Sequence, residues 1–178
     1  AYCSNAVDRK RHQNATWGYG EQASWDYGYV RHMNLFLQKC ARADASVFAK
    51  NSRERLMAEV RFLRAAYYFA MVKRMGGVPL ITEPLQYDYS GDVTYLYRPR
   101  NPEYEIYDFI LRECEEIKTL LPNDPSVKSR ATKAAALAMR SRAALYAGSI
   151  AKYGALRTPE VTLPGGEVGI PAEKADYY

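Results

Sequence analysis

Tyrosine is the side chain through which this sequence is best equipped to do chemistry: sixteen are present, beside two tryptophans and five phenylalanines. Tyr87, Tyr89, Tyr95 and Tyr97 fall in one stretch with Asp88, Ser90, Gly91 and Asp92, and Trp17 and Tyr19 are flanked by Gly18 and Gly20. Neither stretch has the helical or strand period that would demand burial, and glycine leaves the backbone free to turn a ring outward. These six rings are therefore the candidate ligand contacts. An aromatic face stacks on the apolar C–H patches of a sugar ring, while a phenol hydroxyl or nearby amide bonds to its hydroxyls. Phe62, Phe69, Phe109 and Tyr67 sit in helical periodicity and are expected in the core, with Trp25 a core residue at a helix start.

Such a site binds without making bonds, and no signal for bond making stands beside it. The sequence has no G-x-S-x-G, no H-E-x-x-H, no phosphate loop and no C-x-x-C pair. Its two histidines, His12 and His32, are too few and too unsupported for a metal site. The expectation is a binding protein, not an enzyme, with no catalytic residue, no metal ligand and no cofactor. Cys114 keeps step with Ile106, Phe109, Ile110, Ile117 and Leu121 and reads as a small core residue, as does Cys40 after Leu35 and Leu37. Cys3 follows only Ala1 and Tyr2, which supply no hydrophobic leader for lipidation, so any anchoring cysteine is expected upstream.

The formal net charge is +5, and its distribution says more than its sum. From Pro125 to Pro159 there are seven basic residues, among them Lys128, Arg130, Arg140 and Arg142, and no acidic one. The segment before it carries Glu103, Glu105, Asp108, Glu113, Glu115 and Glu116. Opposite charges adjacent in sequence fit antiparallel neighbours that neutralise each other better than a nucleic-acid stripe, so nucleic acid is not an expected partner.

The elements that must position the rings are helices. The second and best defined spans 52–75, with Asn51 and Glu54 at capping-box spacing and no Pro or Gly before Gly76. Leu56, Val60, Leu63, Tyr67 and Met71 form one apolar face, and Phe62, Ala65, Phe69 and Val72 a second, so neighbours are expected on both sides. Gly76 and Gly77 stop it through the left-handed conformation, and Pro79 keeps Val78 extended. Arg64, set among apolar neighbours, is expected to be buried as a clamp that needs a carboxylate or carbonyls around it. A first helix is expected over about 25–41, capped by Ser24, with Tyr29, Val30, Met33, Phe36, Leu37 and Cys40 as its stripe. The third opens on Asn101 as cap and Pro102 at its first position and ends at Pro122. The fourth runs from about 131 to 153, rich in alanine, and Gly154 closes it. Residues 82–100 form a long loop of the kind that is usually functional or mobile.

Residues 1–23 thus read as a leading segment, 24–153 as two helical hairpins, and 154–178 as a loop and the start of a next helix, all within one domain. Arg64-Ala65-Ala66-Tyr67-Tyr68-Phe69 is echoed by Arg142-Ala143-Ala144-Leu145-Tyr146-Ala147, and Ala65 and Phe69 fit the Ala-x-x-x-Phe element of tetratricopeptide (TPR) repeats without a strict 34-residue period. The fold class expected is all-α, an irregular set of TPR-like antiparallel helix pairs with long loops.

The run RFLRAAYYFAMVKRMGGVPLI closely resembles the SusD/RagB family of outer-membrane nutrient-binding lipoproteins. WDYGYVRHMNLFLQK, RPRNPEYEIYDFILRECEEIKTLLP and SRATKAAALAMRSRAALYAGS resemble its flanking helices. The resemblance covers most of 25–153 and makes Arg64, Gly76, Gly77 and Pro79 structural motif residues. It implies TPR-like helix pairs and a ligand platform that draws on residues near the leading segment, which puts Trp17 and Tyr19 first as contacts and the Tyr87–Tyr97 loop second, since that loop would serve equally to dock on a partner transporter. It further implies capture of oligosaccharide at the surface of a Bacteroidota-type bacterium and its delivery to a SusC-like TonB-dependent outer-membrane transporter. The membrane is reached through a lipid anchor upstream of this chain. Family members are considerably longer, so the chain is expected to be part of a larger protein. Peptide as cargo, in the manner of RagB, is the alternative within the family, and a TPR-like scaffold binding only protein is the alternative outside it.

Overall fold

The computed structural model describes residues 26–49, 52–124, 126, 129–154 and 169–178, so Trp17, Tyr19, Trp25, Ser24, Asn51 and Cys3 lie outside the described residues. Four α-helices run Tyr27–Arg42 (α1), Ser52–Met75 (α2), Glu103–Ile117 (α3) and Lys133–Tyr153 (α4), and no strand occurs among the described residues. The expected all-α class of TPR-like helix pairs holds. The pairs are antiparallel: Arg64 meets Asn34 while Arg53 meets Ala41 O, so α1 and α2 run in opposite senses. Arg61 meets Glu113 while Phe69 meets Tyr107, which sets α3 against α2 in the same way. No described helix is long and apolar enough to cross a membrane.

α3 is the helix with most of its surface removed from water. Ile106, Tyr107, Phe109, Ile110, Cys114 and Ile117 are all buried, as the spacing predicts. Burying an aromatic or branched side chain contributes about 1.5–3 kcal/mol each, and Tyr68 packs edge-on to Phe109 with ring centroids 5.5 Å apart. α4 reaches α3 through Ala136, Ala143, Ala147 and Ala151, all buried. Methyl groups at spacings of seven and four let the two backbones approach closely, while Leu145 on the other side stays exposed. Cys40 is buried at the end of α1.

Several local expectations are corrected. On α2, Leu63 is 56% exposed and the fully buried tyrosine is Tyr68, not Tyr67. α1 and α3 both approach the side that carries Arg64 and Tyr68, so the helix has a broad buried face and a solvent face, not two buried faces. On α1, Tyr29 is likewise exposed. α1 begins at Tyr27, and its cap is Asp26, whose Oδ1 accepts the Gly28 N–H at 2.7 Å. Pro102, not Asn101, occupies the cap position of α3. The acidic α3 pairs with Arg61 and Arg64 of α2, and from α4 Arg140 joins, at 3.4 Å from Glu115. The chain end forms a 3₁₀ turn, Ala172–Lys174, tied to α3 by Lys174 and Tyr178, each 2.7 Å from the Asp108 carboxylate.

Candidate functional site

The tyrosine stretch is carried on a support built at the end of α2. Gly76, at φ 68°, turns the chain out of the helix in the left-handed conformation. Gly77 has another role: a Cβ there would lie 2.1 Å from the Asn101 carbonyl oxygen, so the residue is small to let the two segments cross. Pro79 follows, and its carbonyl accepts the Tyr27 hydroxyl at 2.7 Å. Arg64 is buried beneath, as expected of a clamp. Its Nη1 donates to Asn34 Oδ1 at 2.8 Å and to Thr82 O at 3.0 Å, and its Nη2 donates to Glu113 Oε2 at 3.0 Å. Burial opposes the charge on Glu113, yet the Arg61 and Arg64 guanidiniums together outweigh it and hold the carboxyl below the ordinary glutamate range. This ion cluster binds α1, α2, α3 and the extended segment to one another.

From there the loop divides its four tyrosines into two kinds. Tyr95 and Tyr87 spend their hydroxyls on the loop itself. Tyr95 OH accepts from Asp88 N–H at 2.7 Å and donates to Gln86 O at 3.1 Å, while Tyr87 OH accepts from Gly91 N–H at 2.9 Å. Ser90, through its hydroxyl first and its N–H second, keeps the Asp88 carboxyl below the usual range, and Thr94, through its N–H first and its hydroxyl second, does so for Asp92. Tyr89 and Tyr97 are presented to solvent, at 88% and 70% exposure. Tyr89 adopts φ 61°, among the described residues the one non-glycine in the left-handed region, a conformation that costs a bulky side chain about 1 kcal/mol or more. Its ring stands 5.1 Å from that of Tyr87.

Beside the root of this loop lies a feature that sequence reasoning missed. A largely apolar cleft of about 300 Å³ opens between the first turn of α1 and residues 81–85, lined by Tyr27, Val30, Arg31, Ile81, Glu83 and Leu85. The one available signal was Tyr27, an aromatic residue standing off the α1 stripe. Tyr87 and Tyr89 are brought ring to ring and Tyr95 is bonded to Gln86 and Asp88 beside them, on the loop that leaves this cleft after Leu85, while Tyr97 shows no contact with the other three. A second groove of about 570 Å³, between α3, α4 and Tyr177–Tyr178, holds Arg112, Glu115 and Arg140. Among the described residues no three His, Cys, Asp or Glu side chains converge to hold a metal ion.

Residues 3–145 match a family model, SusD-like, described as "Starch-binding associating with outer membrane". Among solved structures, a SusD-like protein from Bacteroides fragilis is 36% identical over 71% of this chain and 24% of its own length, at a TM-score of 0.56. A laminarin-binding SusD-like protein is 26% identical over 76% of this chain and 28% of its own, at 0.59. A SusD-like carbohydrate-binding protein from Bacteroides fragilis, 24% identical over 74% of this chain and 26% of its own at 0.57, shares the fold. The chain spans about a quarter of the length of these solved relatives. No curated protein matches it in sequence.

Proposed function

The chain belongs to the SusD-like family, and from that premise we propose that it forms the helical part of a cell-surface glycan-binding protein whose tyrosine loop contacts the sugar. The observation that carries this reading is Tyr89, a bulky residue held in the left-handed region with its ring almost wholly in water beside Tyr87. Backbone strain of this kind persists only where its surroundings enforce it, and the hydroxyls of Tyr87 and Tyr95 do so here. The product is an open aromatic face on a loop that also carries Asp88 and Asp92 and leaves an apolar cleft at Leu85. That combination suits the C–H faces and hydroxyls of a neutral oligosaccharide. The laminarin-binding relative supports the same cargo class.

Trp17 and Tyr19 are further proposed contacts from the leading segment. The rest of the role follows the family: an outward-facing lipoprotein of the outer membrane, anchored by a lipid upstream of this chain, that passes oligosaccharide to a SusC-like TonB-dependent barrel without altering it. Glycan arrays and native mass spectrometry of the purified protein test the cargo; bound peptide with no bound glycan would replace sugar with the RagB-like alternative. Tyr89→Ala and Trp17→Ala should each weaken oligosaccharide binding by roughly 1–3 kcal/mol, the range for aromatic anchors at interfaces. Calorimetric titration reads the change, and thermal melts should stay close to wild type for Tyr89→Ala because its ring touches solvent.

A further inference from the structure

The run from Pro79 to Thr82 is neither helix nor strand, and no described residue pairs with it as a strand. A segment without such a neighbour must find other partners for its N–H and C=O groups when it lies against the protein. Here side chains supply them. Tyr68 OH accepts the Ile81 N–H at 2.8 Å and donates to the Ile81 carbonyl at 3.1 Å, so one phenol takes both parts that a neighbouring strand would play. Asn34 Nδ2 adds donations to Ile81 O at 2.9 Å and Glu83 O at 3.3 Å. Asn101 Oδ1 accepts the Leu80 N–H at 2.8 Å.

Asn101 lies beyond the loop, which makes its bonds a closure. Its N–H also donates to Val78 O at 3.1 Å, and Arg100 Nε donates to Gly77 O at 2.6 Å. The two ends of the tyrosine loop are therefore bonded to each other, and the segment entering it is fixed to α2 by Tyr68. Tyr68 is fully buried, and burial pushes its hydroxyl up to about 12, which keeps it a donor throughout the physiological range.

We infer that Tyr68 and Asn101 are positioning residues for the tyrosine loop, closing its neck so that Tyr87 and Tyr89 are ordered before ligand arrives. The inference rests on the reading of that loop as the sugar contact. A loop ordered in advance loses less freedom on binding, so opening the neck should weaken binding through entropy.

The test is Tyr68→Phe, which keeps the ring against Phe109 and removes the hydroxyl, with Asn101→Ala as a second variant outside the core. Amide hydrogen exchange should quicken at Leu80, Ile81 and residues 85–97 in both. Calorimetric titration with laminari-oligosaccharides should show affinity lower by about tenfold, the loss carried by entropy. Unchanged exchange in the loop would overturn the inference, as would quickened exchange with unaltered affinity for a glycan that the wild type binds. Should Tyr68→Phe fail to fold, the same two readouts on Asn101→Ala decide. A wild type that binds no glycan sinks the sugar reading, and the exchange rates then still decide whether these residues fix the loop.

Discussion

Replacing Glu113 with alanine is expected to lower stability by about 3–5 kcal/mol, the cost of leaving a buried charge without its partner. Glu113 accepts from Arg61 at 3.1 and 2.8 Å and from Arg64 at 3.0 Å, and its side chain and that of Arg64 are each only 7% exposed. Without the carboxylate, Arg64 keeps Asn34 and Thr82 as acceptors but carries an uncompensated charge against the Phe109 ring. At roughly 2–4 °C per kcal/mol for a chain of this size, the melting temperature should drop on the order of 10 °C. Glu113→Gln, which retains an acceptor, should lose less. The pH dependence has a definite sign. The folded-state carboxyl titrates below its ordinary value of 4.5, so the pair contributes fully above that value and its contribution fades as pH falls through the folded pKa. Acid melts of wild type and Glu113→Gln should therefore converge below about pH 4.5. A gap that persisted in acid would mean that Glu113 acts through packing and not through charge.

Gly77→Ala is the second large effect. The added Cβ would fall 2.1 Å from Asn101 O and 3.2 Å from Glu103 N, both backbone atoms, so no side chain can swing aside. Either the segment after α2 or the start of α3 must move. Overpacking of this sort costs roughly 1–3 kcal/mol, and a backbone obstacle belongs at the upper end. Because Asn101 also closes the loop neck, exchange at residues 85–97 should quicken with the fall in stability. The same change at Gly154, where nothing lies within 4 Å of the built Cβ, should leave the melt near wild type.

Much of the helical frame was legible because its signals are local. The proline- and glycine-free run before Gly76 predicted α2 to the residue, and the α3 period found the core through Cys114. Arg64 was legible as a buried clamp because an arginine among apolar neighbours has few other fates, but its partners were not. Asn34 and Glu113 lie 30 and 49 positions away, and no periodicity links them to it. Leu63 was misplaced and Tyr68 missed because α2 has apolar residues almost all round, and which of them face water depends on where α1 and α3 dock. Asn101 carries the composition of a helix cap, yet its amide serves Leu80 and Glu105 instead. Gly77 was read for conformational freedom when its role is space.

At the site, composition singled out the tyrosine loop but could not rank its members. Tyr87 and Tyr95 differ from Tyr89 and Tyr97 only in what their hydroxyls reach after folding, and the left-handed turn at Tyr89 is held by the Tyr95 and Tyr87 hydroxyls on either side of it. The cleft at Tyr27 and Arg31 joins residues about fifty positions apart, which no motif announces.

The most direct measurement is a crystal structure of the protein with a bound neutral oligosaccharide. The account predicts a sugar ring laid on the Tyr89 face beside Tyr87, its chain reaching toward the cleft at Tyr27 and Leu85, with the loop backbone unmoved. Sugar seated in the groove at Tyr177 and Arg140, or anywhere that leaves Tyr87 and Tyr89 in water, would contradict it.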